Sequence, residues 1–203
     1  GSNSFPYNSY GGLGFPSLGA ITLNSVTASG NSAGASLRNH DAALAQAVKL
    51  TGTNAFDDNS TYGMQVWSMG AVTINNLTAR GNLAGNGAEV DNSYGGSSAG
   101  ITLTGTNLFN DNGANGLSLI SYGAVSLTKV TADANSSRGL SITGPVASLT
   151  LTCGSLTSNG THGIYAVSSG LIKLIGVVSS CNGTTPDTLS GADVEFVRAC
   201  PLP

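Results

Sequence analysis

Aliphatic and polar residues alternate in short runs that recur along most of the chain. The pairs Ile21/Leu23, Val48/Leu50, Val72/Ile74, Ile101/Leu103, Val125/Leu127, Leu149/Leu151 and Ile172/Leu174 follow one another at intervals of 27, 24, 29, 24, 24 and 23 residues. A period of two within each run predicts a strand whose aliphatic pair faces one side. An asparagine follows each pair at a near-constant distance: Asn31, Asn59, Asn82, Asn112, Asn135, Asn159 and Asn182. After each asparagine comes a second strand led by glycine, at Gly34, Gly63, Gly87, Gly116, Gly139, Gly163 and Gly191. A third, shorter strand such as SVTA, NLTA or KVTA precedes the asparagine. No 3.6-residue period interrupts these units, so the pattern predicts an all-β chain.

A unit of three short strands cannot bury its own apolar face, but stacked units can. The expected fold is therefore a single-stranded β-solenoid of about seven coils, each of about 24 residues. Residues 19–203 form its body with a capping coil at the C-terminal end, and residues 1–18 form a partial coil or cap. The asparagines fit the bends. Their side chains accept and donate at once, tolerate left-handed backbone, and can bond their copies in the next coil. The glycines after them would supply positive φ. A longer period is superposed, because residues 19–60 parallel residues 70–113. The position three before the asparagine is small at Ala28, Ala79 and Ala132 and large at Phe56, Phe109 and Leu156. Alternating small and large inward residues fill a tube without overpacking. NSYGG occurs at 8–12 and at 92–96, so both copies are expected to form the same long turn.

The strand–Asn–Gly-strand pattern resembles the right-handed parallel β-helix proteins of the pectate-lyase-like superfamily. The segments TGTNAFDDNS (51–60) and TGTNLFNDNG (104–113) are similar to repeat regions of giant secreted bacterial surface proteins and filamentous adhesins. The resemblance covers residues 20–200. It implies right-handed coiling and an extracellular or cell-surface location, and it leaves activity open, because this fold hosts many functions.

Composition narrows the function. Only 8% of residues are charged and the net charge is −3, so there is no basic footprint for nucleic acid. No apolar run is long enough to span a bilayer. The N-terminus has neither a charged n-region nor an apolar h-region, so no signal peptide is expected there. Enzymes of the superfamily that act on acidic polysaccharides gather carboxylates with Lys or Arg. Here Asp58 and Asp111 lie two coils apart, and Asp57, Arg80 and Asp133 read as a salt-bridged surface stripe. No catalytic residue, cofactor or metal ligand set is assigned. His40 and His162 have no Cys, His or Asp/Glu at metal-ligand spacing along the sequence and read as surface turn residues.

Four other features are candidates. Thr22, Thr73, Thr102, Ser126 and Thr150 form an outward file, interrupted by Lys49 and Lys173, that suits surface binding and, as one alternative, ice. Trp67 and Tyr122 fall at like positions near the ends of two Gly-strands and suit a polysaccharide contact. Phe5, Tyr7, Tyr10 and Phe15 are expected to cover the open end of the core. Cys181–Cys200 is the candidate disulfide for the terminal coil, with Cys153 either a buried small residue or itself the partner of Cys200. The leading reading is a non-catalytic structural or adhesive solenoid that stacks on further repeats or copies of itself. The alternative is a β-helix that binds or degrades polysaccharide.

Overall fold

The computed structural model describes residues 2–183, 187–198 and 200. Within them the chain winds through three parallel sheets, each of eight strands. Sheet A runs from Asn3–Ser4 to Val178–Ser180, sheet B from Gly11–Pro16 to Thr188–Ser190, and sheet C from Ile21–Asn24 to Asp193–Val197. Every coil contributes one strand to each sheet in that order. Eight coils at the strand spacing give a rod of about 38 Å.

The coil count exceeds the seven read from the sequence because residues 2–18 already supply strands. Asn3–Ser4 pairs with Val26–Thr27, and Gly11–Pro16 pairs with the Ala33–Arg38 strand. The two NSYGG copies occupy different corners. Asn8 is a rung of the asparagine column, donating from N and Nδ2 to Asn31 Oδ1. Asn92 instead starts the long turn from sheet B to sheet C, which contains the 3-10 turn Tyr94–Gly96. At the other end, the Gly191 segment is not a Gly-strand. Thr188–Ser190 fills sheet B and Asp193–Val197 lies in sheet C.

The aliphatic pairs of sheet C and the alternate residues of sheet B line a continuous core. Ala28, Phe56, Ala79, Phe109, Ala132 and Leu156 all point into it and are fully buried. The last coil is less covered. Val178 and Phe196 are largely exposed, and a cavity of about 230 Å³ opens between Leu174, Val177 and Phe196. At the first coil Phe5 packs against the core, but Tyr7 and Tyr10 are exposed, so the expected aromatic cover is reduced to one ring.

Asparagines at the corner from sheet A to sheet B form one column. From Asn8 to Asn159, the backbone N–H of each donates to Oδ1 of the next at 2.7–3.1 Å. The residue before every rung is left-handed: Tyr7, Gly30, Asp58, Gly81, Asp111, Ala134, Ser158 and Cys181. The glycines after the rungs have no positive φ, against expectation; they are needed for close approach. A Cβ on Gly87 would lie 2.6 Å from Gly116 O and 2.7 Å from Asn112 Nδ2. Left-handed φ costs a non-glycine residue about 1–2 kcal/mol, partly offset by the entropy glycine loses on folding. Ala134 is exposed at φ 57°. Ala134→Gly should therefore stabilise the fold by about 0.5–1 kcal/mol in chemical denaturation.

Candidate functional site

Three surfaces carry the chemistry. The outward file of sheet C is in register, running Thr22, Lys49, Thr73, Thr102, Ser126, Thr150 and Lys173. Lys173 pairs with Glu195 at 3.0 Å, so the uncharged stretch covers the four coils from Thr73 to Thr150. In the neighbouring file Asn75 Nδ2 donates to Thr104 Oγ1 and Thr51 Oγ1 to Asn24 Oδ1, so some of its polar groups satisfy each other.

The second surface is the stripe outside the asparagine column. Arg80 binds Asp57 through its backbone N–H and through an ion pair of 3.2 Å. Asn110 separates Arg80 from Asp133 and accepts the Asp133 N–H. Asp133 accepts from the N–H and hydroxyl of Thr157 and from Ser155 Oγ. Gly81 stands between Asp58 and Asp111 in the left-handed file, and no group of metal-ligating side chains forms among the described residues.

The third surface is the corner from sheet B to sheet C in coils one to four. Pro16, Arg38, Trp67 and Asp91 are successive partners in register. The Arg38 guanidinium lies 4.1 Å over the Trp67 ring. His40 meets Trp67 edge-on at 5.7 Å and Tyr94 at 4.5 Å, which removes it from the set of simple surface residues. Its Nε2 lies 3.6 Å from Asp41 Oδ1, and its buried Nδ1 has no hydrogen-bond partner among the described residues. Burial chiefly, then the carboxylates of Asp91 and Glu89, raise the Tyr94 pKa, and Asp41 adds to this while Arg38 opposes it. Pro16, Ser17, Leu18, Arg38, His40, Asp41 and Trp67 line a cavity of about 400 Å³. Tyr122 does not share this place. Asp91 pairs with Ile120, so Tyr122 lies two residues beyond the Trp67 register. An arginine-over-aromatic stack also occurs at the start of sheet B in coils six and seven, away from this corner, where Arg138 covers Tyr165 at 3.8 Å.

Two sets of buried polar residues escaped the sequence reading. Asn39 and Asn92 alternate with Ser68 and Ser121 at the sheet B to C corner. The asparagines clamp long turns by donating to Gln46 O and Ala99 O. The serines accept the N–H two residues on, from Gly70 and Gly123. The signal was present as N-followed long turns alternating with S-x-G. Asn54 and Asn107, inside the TGTN repeats, are also fully buried and cap the Val26 and Leu77 N–H groups.

Cys200 is bonded to Cys153, not Cys181. Cys153 and Cys200 both follow sheet C strands and meet at one corner. Cys181 precedes an asparagine rung at another corner and is exposed. Gly176 lies between the bridged cysteines, where a Cβ would meet Cys200. Alkylation of the native, unreduced chain should label Cys181 alone, and non-reducing peptide mapping should link Cys153 to Cys200.

No known family profile matches the chain, nor does any curated protein. One solved structure similar to it is the crystal structure of the periplasmic alginate epimerase AlgG, at a TM-score of 0.56 and 14% identity. The match covers 88% of this chain and 55% of that one, so this chain spans about half the epimerase's length. The chain shares with it the fold of a parallel β-helix. At that identity the likeness shows the fold alone.

Proposed function

We propose that this β-helix is a non-catalytic structural or adhesive segment of a secreted or surface-displayed bacterial protein. The observation that carries this reading is the use made of its charged corner residues. Asp57 and Arg80 bond each other between adjacent coils, and Asp133 bonds Ser155 and Thr157 of the coil that follows it. They act as outer staples of the rod, as the asparagines act as inner ones. The Cys153–Cys200 bond favours an oxidising compartment outside the cytoplasm. The resemblance to bacterial surface-protein repeats points the same way.

The test is to incubate the purified chain with polyuronates and neutral polysaccharides and follow both by NMR. The expected result is no new reducing end, no unsaturated end and no epimerised sugar over many hours. Catalytic conversion of either class that survives repurification and is lost on heating would overturn the reading. The Arg38–His40–Trp67 cavity favours a second, compatible role in which the rod holds a polysaccharide without altering it.

A further inference from the structure

We propose that the cavity between coils one and three binds one pyranose unit of a neutral glycan and selects against uronate polymers. This rests on the non-catalytic reading only in treating the contact as binding rather than turnover.

The size is suitable, since about 400 Å³ lies within the range of small-ligand sites and is open to solvent for a chain to pass. The walls are of two kinds. Pro16 and Leu18 supply an apolar side for the C–H face of a sugar ring, with Trp67, whose ring face carries the Arg38 guanidinium, at its margin. Arg38, His40 and Asp41 supply the polar side. Arg38 gives its Nε–H to Ser36 Oγ and forms no ion pair among the described residues, so its terminal N–H groups remain to donate to hydroxyls. The Asp41 side chain is 81% exposed and is an acceptor for hydroxyl protons. A sugar diol, which donates from one oxygen and accepts at the next, matches a guanidinium–carboxylate pair.

Charge decides between sugar classes. Trp67 is flanked in register by Arg38 on one side and Asp91 on the other. Asp41 lines the cavity, and Asp91 and Glu89 join it in acting on the neighbouring Tyr94 against the one guanidinium of Arg38. A polyuronate brings a further carboxylate on every residue and is repelled by such a field. One edge of the guanidinium is already taken through Nε by Ser36 Oγ, so only its Nη edge is left to meet a carboxylate.

Trp67 is the sole tryptophan of the chain, so its fluorescence reports this site directly. The full chain would be titrated with neutral hexasaccharides of glucose, mannose and galactose, with hexamannuronate, and with a glucosamine hexamer. The expected result is a saturable change with at least one neutral hexasaccharide and none with hexamannuronate. Asp41→Asn, at an exposed position, should weaken that binding about tenfold without changing the Tm, the loss of one charge-assisted hydrogen bond. Arg38→Ala should abolish it, with Asp41→Asn guarding against an effect of altered Trp67 packing. The proposal is overturned if no neutral sugar shifts the signal at millimolar concentration. It is equally overturned if the uronate or the cationic hexamer binds better, or if Asp41→Asn binds as the parent does. Recovered ligand examined by NMR separates the two claims: altered sugar refutes the non-catalytic reading, whereas unaltered sugar without binding refutes only this site.

Discussion

Asn112→Ala should destabilise the fold by about 4 kcal/mol, measured as a loss of unfolding free energy in denaturant. Asn112 sits mid-column and is 1% exposed. Its Oδ1 accepts both the backbone N–H and Nδ2 of Asn82, at 3.1 and 2.9 Å. Its own Nδ2 donates to Ala79 O and Asn135 Oδ1. Truncation strands two buried donors of Asn82, each worth about 1–3 kcal/mol when left unpaired. A matched control lies nearer the surface. Asn86 accepts from Asn115 N and Nδ2 in a similar stack but is only half-buried, so water can replace it. Asn86→Ala should cost about 1 kcal/mol or less. Equal losses at the two positions would mean that burial does not set the column's contribution.

Phe109→Ala should cost about 3–5 kcal/mol, the usual range for a buried phenylalanine. The site is poorly able to collapse. Phe109 is fully buried, and the coils on either side place Ala79 and Ala132 at the same inward position. The double-mutant cycle with Ala132→Leu is more telling. Alone, Ala132→Leu overpacks the tube against Phe109 and costs about 1–3 kcal/mol. In the Phe109→Ala background it fills the vacated volume, so the two changes should couple by more than about 1 kcal/mol in the favourable direction. Simple additivity would show that the alternation of small and large residues is not a packing device.

The sequence made the repeating part of the fold readable because each coil repeats one chemical instruction. The aliphatic pairs, the ladder asparagines and the Ala/Phe alternation all sit at positions that no other residue type serves as well. The glycines were read at the right places for the wrong reason. Sequence shows that a Cβ is absent, and only the stacked neighbours show that it is absent for lack of room. The left-handed file was hidden because Asp, Ala, Ser and Cys all occupy it, and none of them announces positive φ. NSYGG misled because five identical residues can serve two corners when their partners differ. Asn8 has Asn31 above it, whereas Asn92 clamps Ala99 O. The candidate site was the least legible part. Arg38, Trp67 and Tyr94 are separated by 29 and 27 residues along the chain. They meet because turns of unequal length bring different residues to one corner, and a long turn carries no periodic signal. Cys200 keeps two candidate partners in the sequence for a related reason: counting residues does not reveal which corner a residue occupies, and of the two it is Cys153, not Cys181, that meets it.

The asparagine column has a direction. Every rung gives its backbone proton toward the C-terminal end and takes one from the N-terminal side. The two ends of the column are therefore chemically unlike, one offering a carbonyl oxygen at Asn8 and the other a donor at Asn182. Two rods joined about a two-fold axis would face oxygen with oxygen, or donor with donor. Only a translational join carries the column across, and a contact of that kind does not close on itself. Whatever lengthens this rod, whether more coils of one chain or a second molecule, can be added in one sense only. A symmetric end-to-end pair would have to give up the column to form.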